Sequence, residues 1–131
     1  MVRRTIILSG MLLALLLAAS ACRGKPAYTN LSPAQLAEML QAKDFYFVNT
    51  HVPYEGEIAD TDAFIAYEAK ATQRVDEYPA DKDAKIVLYC RSGRMSETVA
   101  EALVQAGYTH VYNLDGGMIA WEEAGFPLVQ R

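Results

Sequence analysis

Cysteine and histidine are scarce in this chain, with two of each: Cys22 and Cys90, His51 and His110. The two thiols show no pair-of-pairs spacing, so nothing suggests a structural zinc site, and they are too few for a disulfide framework. Two histidines do not make a convincing metal centre, and no cofactor is implied. Basic charge is short as well: 12 Lys and Arg stand against 16 Asp and Glu, a formal net charge of −4. No basic stripe with interleaved aromatics occurs, which removes nucleic acid from the expected partners. No internal repeat is visible. What remains is ordinary: 131 residues, 52% apolar and 21% charged, fit one globular domain.

Part of the apolar share belongs to the first residues and not to a core. Residues 1–21 read as a signal peptide: Arg3 and Arg4, an apolar run interrupted only by Ser9 and Gly10, then Ala18-Ala19-Ser20-Ala21. The segment is short for a membrane span, and an uncleaved anchor is the alternative. Leu17-Ala18-Ala19-Ser20-Ala21-Cys22 resembles the lipobox of bacterial lipoprotein precursors, in which the cysteine is acylated and becomes the first residue. That resemblance implies an extracytoplasmic, periplasmic, lipid-anchored protein. It implies the outer membrane in a two-membrane source, because Arg23 is not the aspartate of inner-membrane retention. Cleavage removes Arg3 and Arg4 and leaves a more acidic chain, so membrane contact is expected through the lipid alone. With Cys22 acylated, Cys90 is the one free thiol and no disulfide forms within the chain. Without acylation, Cys22 is available to pair with Cys90 and silence it. Residues 22–29 read as a tether and residues 30–131 as the domain.

Within that domain, Ser32-Pro33-Ala34-Gln35 is a helix start with a capping box and an early proline. Phe45-Tyr46-Phe47-Val48 and Ile86-Val87-Leu88-Tyr89 are buried-strand runs. Ala63-Phe64-Ile65-Ala66 suggests a short strand, and residues 68–78 a weakly patterned helix ended by Pro79. Val99, Ala102, Leu103 and Ala106 form the buried face of a helix stopped by Gly107. His110-Val111-Tyr112-Asn113-Leu114 is a further strand, followed by a turn at Asp115-Gly116-Gly117 and a short helix from Met118. Strands alternating with helices predict an α/β fold: a central, mostly parallel sheet with helices on both faces. In such folds, sites form at the carboxyl ends of strands.

Cys90 stands at such an end, in Tyr89-Cys90-Arg91-Ser92-Gly93-Arg94-Met95-Ser96. The thiolate is the reactive form of cysteine, and helix N-termini and guanidiniums favour it. Loop N–H groups pointing inward make an anion nest. The expected site is therefore Cys90 in a loop of Arg91, Ser92, Gly93, Arg94, Met95 and Ser96, with Ser96 capping the next helix. A bare cysteine at a strand end is often only a small hydrophobe, but the arginines, glycine and serine around this one favour a nucleophile. His51 and Glu57, with Tyr54 and Glu55, lie in a loop that either rims the pocket or forms a solvated surface. Trp121 is expected in the core, and Gly116-Gly117 at a tight turn.

From residue 85 to 128 the chain resembles the rhodanese-like (sulfurtransferase) family. The matching residues are Tyr89-Cys90-Arg91-Ser92-Gly93, Ser96, Gly107-Tyr108, Val111-Tyr112-Asn113-Leu114-Asp115-Gly116-Gly117, Ala120-Trp121 and Gly125-Phe126-Pro127. The first half departs from the family: Asn49-Thr50-His51 replaces an Asp-Arg pair, and Gly56-Glu57-Ile58 replaces Gly-His-Ile. Met95 stands where many members carry a basic residue or threonine, and it cannot bind an anion. The resemblance implies that Cys90 takes sulfur from a donor such as thiosulfate, holds it as a persulfide and passes it to a thiol or cyanide. The implied partners are a small anionic sulfur donor and a thiol acceptor, met by a monomer. The alternative is a low-turnover sulfur carrier or binding module. A cysteine phosphatase is disfavoured, because Ser96 occupies the place where such enzymes need a phosphate-clamping arginine.

Overall fold

Period-two alternation along the strands decides the architecture. In the computed structural model, which describes residues 27–69 and 73–131, the strands are β1 Thr29–Leu31, β2 Tyr46–Asn49, β3 Ala63–Phe64, β4 Lys85–Tyr89 and β5 His110–Leu114. They form one sheet in the order β1-β5-β4-β2-β3, and every pairing is parallel. Phe47, Val87, Tyr89 and Leu114 point to one face, and Val48, Ile86, Leu88 and Val111 to the other. Both faces are apolar because both are covered, as a parallel sheet requires.

Helix α1, Pro33–Gln41, and helix α3, Gly117–Glu123, cover the first face through Leu36, Met118 and Trp121. Helix α2, Arg94–Gln105, covers the second through Val99, Ala100 and Leu103. Ser32 caps α1 as its sequence suggests, accepting from Gln35 N–H at 3.2 Å while Gln35 Oε1 accepts from Ser32 N–H at 2.8 Å. Trp121 is core: it stacks on Phe126 at 4.4 Å and donates Nε1–H to the Pro127 carbonyl at 3.0 Å. The Tyr89 hydroxyl is a buried junction, 2.7 Å from Thr61 Oγ1 and accepting from Ile58 N–H at 3.0 Å.

Three expectations are corrected. The edge strand β1 includes Thr29, the last residue of the expected tether. Residues 68–78 do not form the expected helix; their described part holds only a short 3-10 turn, Val75–Glu77. The Gln73 side chain bonds both the N–H and the carbonyl of Glu68, offering that backbone a local alternative to helix. Ser96 does not cap α2. Gly93, at φ +97°, takes the cap position, so the helix begins at Arg94 and Ser96 lies inside its first turn. The signal peptide over residues 1–21, Cys22 and the tether as far as residue 26 lie outside the described residues.

Gly117, at φ +59°, lies against the loop that follows β4. A Cβ there would stand 2.6 Å from the Arg91 carbonyl oxygen and nearer still to that of Cys90. Gly117→Ala is expected to destabilise the protein by more than about 2 kcal/mol in urea unfolding, through backbone strain and this collision. Tyr89→Phe leaves Ile58 N–H without its acceptor and is expected to cost about 1–3 kcal/mol. Burial pushes the Tyr89 hydroxyl up to about 12. An unfolded tyrosine ionises near pH 10, so stability contributed by the neutral phenol is full below about pH 10 and lost by about pH 12. The phenylalanine variant lacks this part of the alkaline loss, which unfolding curves across that range would show.

Candidate active site

Strand β4 is central in the sheet, between β5 and β2, and Cys90 is the residue directly after it. The carbonyls of Cys90 and Arg91 accept from Met118 N–H at 2.9 Å and Ile119 N–H at 3.0 Å. The first turn of α3 thus grips the loop from below and fixes where it turns. The loop then closes tightly at Gly93, whose N–H donates to Cys90 Sγ at 3.0 Å. Ser96 Oγ lies 3.5 Å from Sγ and 3.0 Å from the Gly93 carbonyl. A hydroxyl has one proton, so Ser96 chooses between these acceptors, and growing negative charge on sulfur pulls the proton towards it. Gly93 supplies the fixed donor and Ser96 the adjustable one.

Sulfur lies at the floor of a cavity of about 430 Å³, with Cys90 itself 1% exposed. The sequence-expected residues lining it are His51, Cys90, Arg91, Ser92, Arg94 and Met95. Gly93 and Ser96 are buried beneath it, in contact with the sulfur as just described. Arg91, Ser92 and Arg94 are exposed, and Met95 is half-buried in the wall. Among the described residues, Arg94 has no ion-pair partner, whereas Arg91 Nη1 lies 3.6 Å from Glu55 Oε2. The same carboxylate oxygen is 2.7 Å from His51 Nε2.

Glu57, expected at the rim, is not part of the pocket lining. Its backbone pairs with Val129 at 2.9 and 2.8 Å, and its buried Oε1 meets Arg131 Nε at 2.8 Å. That pairing commits Glu57 to the C-terminal segment, and Glu55 is the acid that reaches the site. Its nearness to His51 in the sequence was the available signal. Tyr67, Thr98 and Ile119 also line the cavity, from three separate segments. The Thr98 position was legible, one turn beyond Arg94 on α2; Tyr67 and Ile119 have no local signature. His110 opens β5 at the opposite end of the sheet and is exposed.

Known proteins resemble this chain in sequence and in fold. The family model described as Rhodanese-like domain matches residues 32–124. A sulfurtransferase of Allochromatium vinosum is 48% identical over 56 residues, which are 43% of this chain and 50% of that one. The thiosulfate sulfurtransferase GlpE of Pseudoalteromonas translucida is 29% identical over 107 residues, covering 80% of this chain and 99% of that one. A tRNA uridine(34) hydroxylase of Erwinia tasmaniensis is 31% identical over 107 residues, covering 75% of this chain. The chain thus spans about half the length of the first relative and only 31% of the hydroxylase. A rhodanese-related protein of Thermoplasma volcanium shares the fold with a TM-score of 0.61 at 24% identity, covering 79% of this chain and 100% of that one. With the cysteine loop, the parallel sheet and a family match across most of its length, this chain belongs to the rhodanese-like domain family.

Proposed function

We propose that this protein is a sulfurtransferase of the cell envelope, which takes a sulfane sulfur from an anionic donor such as thiosulfate, holds it on Cys90 and passes it to a thiol or cyanide. The observation that most supports this reading is the Gly93 N–H bonded to Cys90 Sγ at 3.0 Å on the floor of an arginine-flanked cavity. The Cys90 thiolate attacks the outer sulfur of thiosulfate. The donor's S–S bond breaks, sulfite leaves with the electron pair, and Cys90 carries a persulfide anion. Gly93 N–H and the Ser96 hydroxyl, at Sγ, stabilise charge there during both the formation and the discharge of that persulfide. Arg94, which has no ion-pair partner among the described residues, meets the sulfonate end of the donor.

Placement in the envelope rests on residues 1–22, with the lipid on Cys22 as its anchor. A second reading, a sulfur carrier of low turnover, draws on Met95, whose apolar side chain occupies part of the wall where a donor anion must pass. Both readings put the persulfide on Cys90, and turnover separates them.

Incubation with thiosulfate and cyanide is expected to yield thiocyanate over many turnovers and none with Cys90→Ala. A single added sulfur without turnover, seen by intact mass, would instead favour the carrier; no added sulfur would refute both. Arg94→Ala is expected to lower kcat/KM for thiosulfate by about 10–100-fold, as for a lost charge-assisted contact. The difference from wild type should shrink with added salt, because the guanidinium is exposed.

A further inference from the structure

Sulfur loading leaves one buried titratable side chain of the cavity without a task. His51 is 7% exposed and lines the cavity beside Cys90. It follows β2, the strand paired with β4, on a firmly held backbone. Thr50 N–H donates to the Tyr89 carbonyl at 2.9 Å, and His51 N–H to Asn49 Oδ1 at 2.9 Å. Asn49 in turn donates Nδ2–H to the Gly56 carbonyl at 3.1 Å. The ring is therefore carried by the same strand ends that carry the nucleophile.

Its hydrogen bonding fixes its tautomer. Nε2 is 2.7 Å from Glu55 Oε2. An ionised carboxylate only accepts, so Nε2 bears the hydrogen and the neutral ring keeps its lone pair on Nδ1. Nδ1 has no hydrogen-bond partner among the described residues. Arg91 Nη1 lies 3.6 Å from the same Glu55 oxygen. A cavity-lining histidine oriented by a carboxylate, with its second nitrogen not bonded by the described residues, has the makings of a general base.

We propose that His51 is the general base of the acceptor half-reaction, that Glu55 is its positioning residue, and that the acceptor is an alkyl thiol which arrives protonated. The proposal rests on the persulfide reading above. An ordinary alkyl thiol ionises near pH 8.5 and is mostly protonated at neutral pH. Nδ1 takes the S–H proton, and the acceptor sulfur bonds to the outer sulfur of the Cys90 persulfide. The S–S bond to Cys90 breaks, and Sγ leaves with the electron pair, returning to the thiolate held by Gly93 N–H. The acceptor departs as its persulfide, and the proton passes from His51 to it or to water. One sulfane sulfur moves, with no net oxidation.

The experiment compares two acceptors on protein that already carries sulfur on Cys90, so that the rate of loading does not enter. One is N-acetylcysteine, protonated at neutral pH; the other is thionitrobenzoate, already ionised. His51→Asn and His51→Gln are expected to lower transfer to N-acetylcysteine by about 100-fold, the low end for a lost general base, and to change thionitrobenzoate little. Glu55→Ala is expected to reduce the same ratio of rates by about 10-fold, a change that general loosening of the loop would not produce. Equal falls for the two thiols, or no fall for N-acetylcysteine, would overturn the proposal. Failure of the wild type to gain sulfur from thiosulfate overturns the persulfide reading first, and intact mass shows that before any acceptor is added.

Discussion

The contact on which the rest depends is backbone against backbone: the first turn of α3 pressed onto the loop after β4. Met118 and Ile119 donate to the carbonyls of Cys90 and Arg91, and Gly117 lets the two chains touch. The consequence is electrostatic. With the carbonyls of Cys90 and Arg91 turned to α3, the loop is free to turn an amide the other way, and Gly93 N–H points at the sulfur. Such donors are set before charge develops, so no reorganisation is needed when it does.

The two cores divide the support of this loop. Below one face, α1 and α3 pack with Phe47, Val87 and Tyr89, and α3 supplies the grip. Against the other face, α2 packs through Val99, Ala100 and Leu103, and its first turn supplies Ser96. Cys90 emerges from the central one of the three strands that both cores share, so the sulfur is positioned by the two layers together. A loop hung from one layer alone would shift with it; here a displacement has to disturb close-packed side chains on both sides of the sheet, which is costly.

Much of this was legible in the sequence, and the parts that were not share a cause. Strands β2, β4 and β5, the capping box of α1 and the core tryptophan follow from short-range patterns. The cysteine loop does too, because its arginines and glycine are consecutive. Ser96 misleads because serine is a good cap; the glycine three residues earlier wins by reaching φ +97° without strain. β1 is short and polar at Thr29 and Asn30, and only its pairing with Tyr112, Asn113 and Leu114 makes it a strand. Glu55 and Glu57 differ by long-range partners, Arg91 for one and Arg131 for the other, which no local pattern records. Tyr67 and Ile119 reach the cavity only because the fold brings distant segments to the same strand ends.

The charges around the cavity are arranged unequally, and that inequality bears on how one site would serve the two reactants of the proposed transfer. A carboxylate near an anion-binding pocket ought to repel the donor. Glu55 meets both Arg91 and His51 through Oε2, so its charge is partly answered within the site. Arg94 has no ion-pair partner among the described residues, so the attraction it exerts would be available to the anionic donor proposed above. In the proposed transfer an acceptor thiol poses the opposite problem, since it would lose a proton within reach of an anion on Cys90. A second free guanidinium would serve it poorly, because arginine cannot take up a proton. A histidine can, and the carboxylate that quiets Arg91 is the one that orients the imidazole.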